Sequence, residues 1–359
     1  MSDVIQYKCP SCGGAIEFDS ATQKMKCPYC DSIFDISEFE SDDAGLNQSE
    51  TAQSVSSTFS SEESSAFAIY KCSSCGAEVI TDKTTASTSC PYCDNVMILS
   101  GQLSGELKPD LIIPFRYDKE AAKQALKTHL KDKKLLPKVF SSENHLDEIK
   151  GIYVPFWIYD TDTIADASYS GTKVRTWSDT IYQYTETTHY NISRKGRMSF
   201  DSIPVDALSS IPNEMTESLE VFDSCGIVPF KTAYLSGYYS NRYDVSSDEC
   251  ISRAKQRISK SCIDTLDGTV SGYSTLSKIS SSVQLVNTKV KYALYPVWIL
   301  NTTWRNNKYT FAMNGETGKF VGNLPIDKGI YWKFRLLYGG GIAIALFALI
   351  QFLLGGGLL

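Results

Sequence analysis

Eight cysteines carry the sharpest chemical pattern in this chain. Cys9 and Cys12 form one Cys-x2-Cys pair and Cys27 and Cys30 a second, with 14 residues between the pairs. Cys72, Cys75, Cys90 and Cys93 repeat that spacing. A Cys-x2-Cys turn aims two sulfurs at one centre, and two such turns on facing hairpins complete a tetrahedron. Four soft thiolates suit Zn2+ and leave no vacant position for substrate or activated water. The spacing therefore predicts two structural zinc sites, each supplying folding energy to a piece too small for a core of its own. Iron uses the same thiolate set and stays open as the bound metal. Disulfides are disfavoured, because the N-terminus has no apolar secretory stretch and a reducing compartment is expected.

The elements that position these sulfurs are themselves repeated. Residues 7–31 read YKCPSCGGAIEFDSATQKMKCPYCD and residues 70–94 read YKCSSCGAEVITDKTTASTSCPYCD. Tyr, Lys, the cysteines, a glycine and the closing Pro-Tyr-Cys-Asp recur in register. Between the copies lies a Ser-rich acidic stretch. From Cys27 through Tyr70 there are nine acidic residues and no Lys or Arg. The chain's net charge is -6, so the remainder without those nine stands at +3. Such a stretch buries too little apolar surface to offset its ordering entropy and reads as a flexible tether. A dedicated nucleic-acid binder carries a basic excess, which this chain lacks, so protein docking is the favoured use of the ribbons. Nucleic-acid binding is the alternative.

From about Lys108 to Ile330 the composition is that of a folded α+β domain. Asp118 caps a helical pattern of Ala122, Ala125, Leu126, His129 and Leu130, and Ser246 with Glu249 forms a capping box ahead of Cys250, Ala254, Ile258 and Cys262. Strands are expected at Tyr153–Tyr159, Thr180–Asn191, Tyr292–Leu300 and Lys308–Ala312. Asn314-Gly315 should supply positive φ to a hairpin, with Gly318 absorbing a bulge. Ile113-Pro114-Phe115, a helix and Tyr153-Val-Pro-Phe-Trp-Ile158 run parallel to Val228-Pro229-Phe230, a helix and Tyr295-Pro-Val-Trp-Ile299, which predicts an internal duplication.

Other candidates are weaker. Cys225, Cys250 and Cys262 lack close pairing and read as buried thiols, while His129 reads as a core or rim residue. His145 and His189 stand alone. Asp160, Asp162 and Asp166 look like a solvated polar loop. No nucleophile–base pair or phosphate loop is visible, so no catalytic residue is assigned.

From Leu336 to Leu359 there are 24 residues without a charge. That length suits a membrane-spanning helix. Lys328, Lys333 and Arg335 precede it, with Tyr331 and Trp332 at interface depth, which places the preceding chain in the cytoplasm. The expected organisation is a first zinc ribbon (1–37), the acidic linker (38–66), a second ribbon (67–105), an α+β domain (106–330) of two related halves (106–220 and 221–330), and a tail anchor (331–359).

The cysteine motifs resemble rubredoxin-like and transcription-factor-type zinc ribbons. The order of features resembles the YdjG-type bacterial zinc-ribbon membrane proteins of membrane-stress operons that contain a PspA homologue. The likeness rests on both cysteine sets, Tyr153-Val-Pro-Phe-Trp-Ile-Tyr-Asp160, Tyr295-Pro-Val-Trp298, Phe311-Ala-Met-Asn-Gly-Glu-Thr-Gly-Lys319 and the apolar tail. It implies a non-enzymatic, single-pass adaptor in the bacterial cell membrane. Such an adaptor would hold an SPFH/virion-core-like cytoplasmic protein, and through it the PspA homologue, near the bilayer. A helicase-like or primosomal label given to such ribbons finds no motor motif here.

Overall fold

The computed structural model describes residues 7–14, 16–39, 67–72, 76–82, 90–92, 97–101, 107–131, 133–141, 148–209, 211–220, 222–223, 226–305, 307–322 and 324–355. Of the expected linker, only Glu38 and Phe39 lie within them, as do neither His145 nor Cys225.

Three short strands open the chain: β1 (Glu17–Asp19), β2 (Lys24–Lys26) and β3 (Ile33–Phe34) pair antiparallel in that order. Phe18 and Met25 lie beneath them, with Cys9 and Cys27. This small sheet rests on the main body. The Phe18 amide donates to the Ser236 carbonyl at 3.3 Å, Gln23 Nε2 donates to the Phe115 carbonyl at 2.7 Å, and Phe18 meets Tyr234 edge-on.

The main body is one mixed sheet. Its path of neighbours is β10 (Val228–Pro229), β7 (Leu111–Ile112), β12 (Thr275–Trp304), β8 (Lys150–Ser178), β11 (Tyr239–Asn241), β5 (Glu78–Asp82), β4 (Phe67–Cys72) and β6 (Met97–Gly101). β13 (Asn307–Asn314) pairs with β12, β14 (Phe320–Gly322) with β13, and β9 (Gln183–Asp206) with β8. The strands of the second cysteine repeat, expected as part of a ribbon over 67–105, join the body's sheet through Ser240 opposite Ile80 and Asn241 opposite Val79.

Helices α1 (Lys119–Lys131) and α3 (Ser247–Gly268) cover one face, burying Ala122, Leu126 and Leu130 and, from α3, Cys250, Ala254, Ile258, Cys262 and Leu266. The capping box at Ser246 and Glu249 forms as its residues dictate. The opposite face, with Ile152, Val154, Phe156 and Ile158, is covered by Leu208, Ile211 and α2 (Asn213–Leu219). Beneath α2 the fully buried Asp206 accepts from the Thr216 hydroxyl at 2.9 Å and from Arg253 at 2.7 Å.

Two tryptophans tie the sheet to the helix starts reciprocally. Trp298 of β12 donates its indole N–H to the Tyr117 carbonyl at 3.0 Å, two residues before α1. Trp157 of β8 donates to the Val245 carbonyl at 2.9 Å, two residues before α3. Phe115 leans on Trp298 at 5.2 Å and Tyr243 on Trp157 at 5.1 Å. β7 runs parallel to β12 at Ala293–Leu294, and β11 parallel to β8 at Ile152–Tyr153. Each of these carbonyls precedes one helix and meets a tryptophan from a distant strand. Ahead of α3, Asn241-Arg242-Tyr243 occupies the place that Ile113-Pro114-Phe115 holds ahead of α1. Val228-Pro229 instead pairs alongside Leu111–Ile112.

β8, β9 and β12 run to 29, 24 and 30 residues, about two to four times the expected strands, and form an arm. At ~3.3 Å per residue the 29 residues of β8 extend about 95 Å. Asp160, Asp162 and Asp166 lie inside β8, where a loop was expected, and pair with neighbouring strands: Asp160 with Lys291 at 3.0 Å and Asp166 with Lys195 at 2.7 Å. Bulges at Tyr159/Thr161 and Val286/Lys289 turn this stretch. In the 314–319 hairpin the positive φ falls on Gly318 (+73°). Gly315 serves close approach instead, since a Cβ there would sit 2.6 Å from the Phe115 ring.

Candidate metal centre and membrane helix

Each half of the first cysteine cluster is a tight turn. The Cys9 amide donates to the Gly14 carbonyl and the Gly13 amide to the Cys9 carbonyl, both at 2.8 Å. Cys27 repeats this with Ser32 and Asp31, at 3.0 and 2.9 Å. Both turns need one left-handed residue, Gly13 at φ +74° and Asp31 at φ +55°. β1 and β2 hold the turns face to face. Sγ of Cys9 lies 3.5 Å from Sγ of Cys30, and Sγ of Cys12 lies 3.5 Å from Sγ of Cys27. All four sulfurs fall within 4.8 Å of one another, so Cys9, Cys12, Cys27 and Cys30 can hold a metal ion.

The donor set fits zinc. Zn–S bonds of about 2.3 Å in a tetrahedron place sulfurs about 3.8 Å apart, close to the observed spacing. The Gly14 amide favours the Cys12 thiolate, but sharing protons with Cys30 and Cys27 pushes Cys12 up to about 12. The Ser32 hydroxyl and amide bring Cys30 down to about 6. Four clustered thiols cannot all ionise without a positive charge among them. Cys9 and Cys27 are buried and Cys12 and Cys30 exposed.

The second cluster shows half of the same construction. The Cys72 amide donates to the Ala77 carbonyl at 2.9 Å and the Gly76 amide to the Cys72 carbonyl at 3.0 Å, with Gly76 at φ +76°. Cys72 and Cys90 are buried, and the Tyr92 amide points at the Cys90 sulfur at 3.4 Å. Cys75 and Cys93 lie outside the described residues.

Cys250 and Cys262 are fully buried in the α3 seam. His129 stacks on Phe320, and burial lowers its pKa. Glu316 was not singled out from sequence. It is buried, accepts from the Asp223 amide at 2.9 Å and faces Arg116 at 3.4 Å, anchoring the hairpin turn to the loop before β10. Burial raises its pKa, partly offset by the Asp223 amide and Arg116. An acidic residue two positions after a turn asparagine gave no sequence signal for this. An open cleft between the first cysteine sheet and the body is edged by Glu17, Asp19, Asp31, Asp118 and Glu148, with Lys26, Lys119 and Lys150.

The last element is α4 (Lys328–Gly355), 28 residues long. Asp327 caps it, accepting from the Gly329 amide at 2.7 Å and the Ile330 amide at 3.2 Å, and its own amide is held by the Leu135 carbonyl. Lys328–Gln351 is apolar and long enough to cross a membrane, and none of its most apolar window is buried against the body. The helix runs unbroken through Gly339–Gly341.

The chain is therefore a mixed α/β protein with an N-terminal four-cysteine cluster and a C-terminal helix of membrane-spanning length. It is 33% identical over 354 residues to the Bacillus subtilis (strain 168) protein described as uncharacterized protein YdjG, with 99% of each chain aligned. It belongs to the family of that protein. No family model matches the chain, and no solved structure matches it.

Proposed function

We propose that this protein is a non-enzymatic, tail-anchored adaptor of the bacterial cell membrane that recruits cytoplasmic proteins through its ribbons and body. The observation that carries the reading is α4: Ile342, Ile344 and Phe347 are each more than 60% exposed, and so apolar a surface is stable only in lipid or against a partner. Lys328, Lys333 and Arg335 at its start favour a cytoplasmic body.

Two structural zinc ions fit the cysteine pattern. The first site has its geometry. The second is supported by the matching turn at Cys72 and Gly76, with Cys75 and Cys93 completing the set by repeat. A filled thiolate site grips and does not turn over substrate. The reciprocal tryptophan contacts support two related halves that exchange their helix caps. The family resemblance adds an SPFH/virion-core-like protein and a PspA homologue as partners in a membrane-stress response. Nucleic acid finds less support, because the carboxylates along the cleft beside the first ribbon would repel phosphates.

Alkaline extraction of native membranes, followed by co-purification with and without the ribbons, tests the reading. The full chain should stay in the membrane and bring its partners. A chain with all eight cysteines replaced by serine should stay in the membrane without them. Release of the full chain by alkali, or unchanged partner recovery, would contradict it.

A further inference from the structure

The root of α4 gathers basic residues from two distant parts of the chain. The Asp327 amide donates to the Leu135 carbonyl at 2.9 Å, which ties the start of α4 to the turn that follows α1. That turn is closed by the Lys133 amide on the Leu130 carbonyl and the Leu136 amide on the Lys133 carbonyl, both at 3.0 Å. Lys133 and Lys134 therefore stand within two residues of the point where α4 is held. Residues 131–138 and 327–335 together contain seven Lys and Arg against Asp132 and Asp327, in a chain whose net charge is -6.

These cations have no structural employment. Lys131, Lys133, Lys134, Lys328 and Lys333 are exposed, and among the described residues none of them pairs with a carboxylate. Lys24, Lys26, Lys71, Lys195, Lys278 and Lys291 each do. The carboxylates nearest in sequence are engaged: Asp327 caps α4 through the Gly329 and Ile330 amides, and Glu120, at the opposite end of α1, pairs with Lys123. Asp132 lies outside the described residues. The dipole of α1 accounts for Lys131 in its last turn. It does not account for Lys133 and Lys134, which lie beyond the helix.

The occupant follows from what α4 carries next. Lys328, Trp332 and Arg335 share one face of its first turns at helical spacing. Tyr331 and Trp332 are 40% and 54% exposed, and Arg335 lies over the Trp332 ring at 5.1 Å. Aromatic rings among cations belong at headgroup level. Nine residue steps, about 14 Å of helix, separate Asp327 from Leu336, where the uncharged run begins. The headgroups of one leaflet take up about 6 Å of that distance, and the field of an anionic surface reaches about 8 Å beyond them. The turn after α1 thus lies within reach of the bilayer's charge.

We infer that the end of α1, the turn 133–136 and the start of α4 form one basic collar that binds the headgroups of anionic lipids and holds the body against the bilayer. This deepens the adaptor reading and rests on α4 being a membrane span.

The test uses the full-length chain. In mild detergent with equal amounts of phosphatidylglycerol and phosphatidylcholine, native mass spectrometry should find the anionic lipid retained at least five-fold over the neutral one, since one basic residue near an anionic surface is worth about five-fold. Lys131→Gln, Lys133→Gln and Lys134→Gln together should remove most of that preference and leave metal content unchanged. Lys255→Gln, Lys260→Gln and Lys289→Gln together, which take the same charge from α3 and the arm, should leave the preference intact. In nanodiscs, amide hydrogen exchange over residues 133–141 should slow several-fold with phosphatidylglycerol relative to phosphatidylcholine, and the slowing should vanish in the first triple variant and in 1 M salt. Equal retention of the two lipids, equal loss in both triple variants, or the same slowing by inorganic phosphate in phosphatidylcholine nanodiscs would overturn the collar. If the chain nevertheless resists alkaline extraction, the span stands without it, whereas release by alkali would remove both.

Discussion

Replacing Trp298 or Trp157 with phenylalanine probes how the sheet is tied to the helix starts. Both indoles are nearly buried, at 4% and 6% exposure, and each makes one hydrogen bond to a carbonyl just ahead of a helix. Removing such a bond forfeits about 1 kcal/mol net, with a further penalty for the carbonyl left dry. Shrinking the ring in a packed site adds roughly 1–2 kcal/mol. Each substitution should therefore cost about 2–3 kcal/mol. Because the two sites share one construction, the costs should agree to within about 1 kcal/mol. The residues each rejects are distinct: Trp298 pairs with Gly151 and Trp157 with Tyr292. The sites are thus well separated along the strands, and the double variant should be additive to within about 0.5 kcal/mol. Trp177→Phe, at the exposed arm tip, should cost less than about 0.5 kcal/mol. Urea unfolding followed by far-ultraviolet circular dichroism, in one detergent throughout, gives all four values. A cost under 0.5 kcal/mol at Trp298, or a loss at only one of the two, would refute the reciprocal capping.

Three further outcomes follow from the geometry. Arg253→Met leaves the buried Asp206 carboxylate without its cation and should cost about 2–4 kcal/mol in urea unfolding, more than Lys123→Met, whose Glu120 partner is largely exposed. Glu316 holds its proton more tightly folded than unfolded, because burial raises its pKa. Its contribution is therefore fully present below the unfolded value of 4.5 and is lost as pH rises through the raised folded value. Glu316→Gln should gain stability relative to the parent as pH climbs from about 4 toward neutrality, and a flat difference across that range would contradict this. Gly13→Ala has open space for its methyl but forces φ +74° on an L-residue. It should cost about 1–2 kcal/mol and speed metal loss to a chelator, while Gly268→Ala, with equal space and no positive φ, should not.

The parts of this molecule legible in its sequence were those set by local rules. The cysteine spacing fixed the first cluster, because a Cys-x2-Cys turn needs only its own backbone. The Ser246–Glu249 box and the Asp118 cap marked both helix starts, and the uncharged tail marked α4. What escaped was long-range. The stretch with Asp160, Asp162 and Asp166 read as a polar loop and Ser-rich 275–284 was assigned no element, yet pairing along β8, β9 and β12 and cover from α3 make them strand. The two apolar-Pro strings were visible, but the segment placed ahead of α3 as Ile113-Pro114-Phe115 is placed ahead of α1 is Asn241-Arg242-Tyr243, whereas Val228-Pro229 pairs with Leu111–Ile112. Glu316 lacked any signal because its burial depends on a loop some ninety residues earlier in the chain. The entry of the second cysteine repeat into the main sheet depends on β11, a three-residue strand too short to be read alone.

The most direct measurement is the metal content of the intact chain, by native mass spectrometry of protein released from membranes in mild detergent. Two zinc ions per chain are expected, falling to one when Cys9, Cys12, Cys27 and Cys30 are replaced by serine. Protein that carries no metal, with its cysteines reduced and unmodified, would contradict the claim that these sulfurs are ligands.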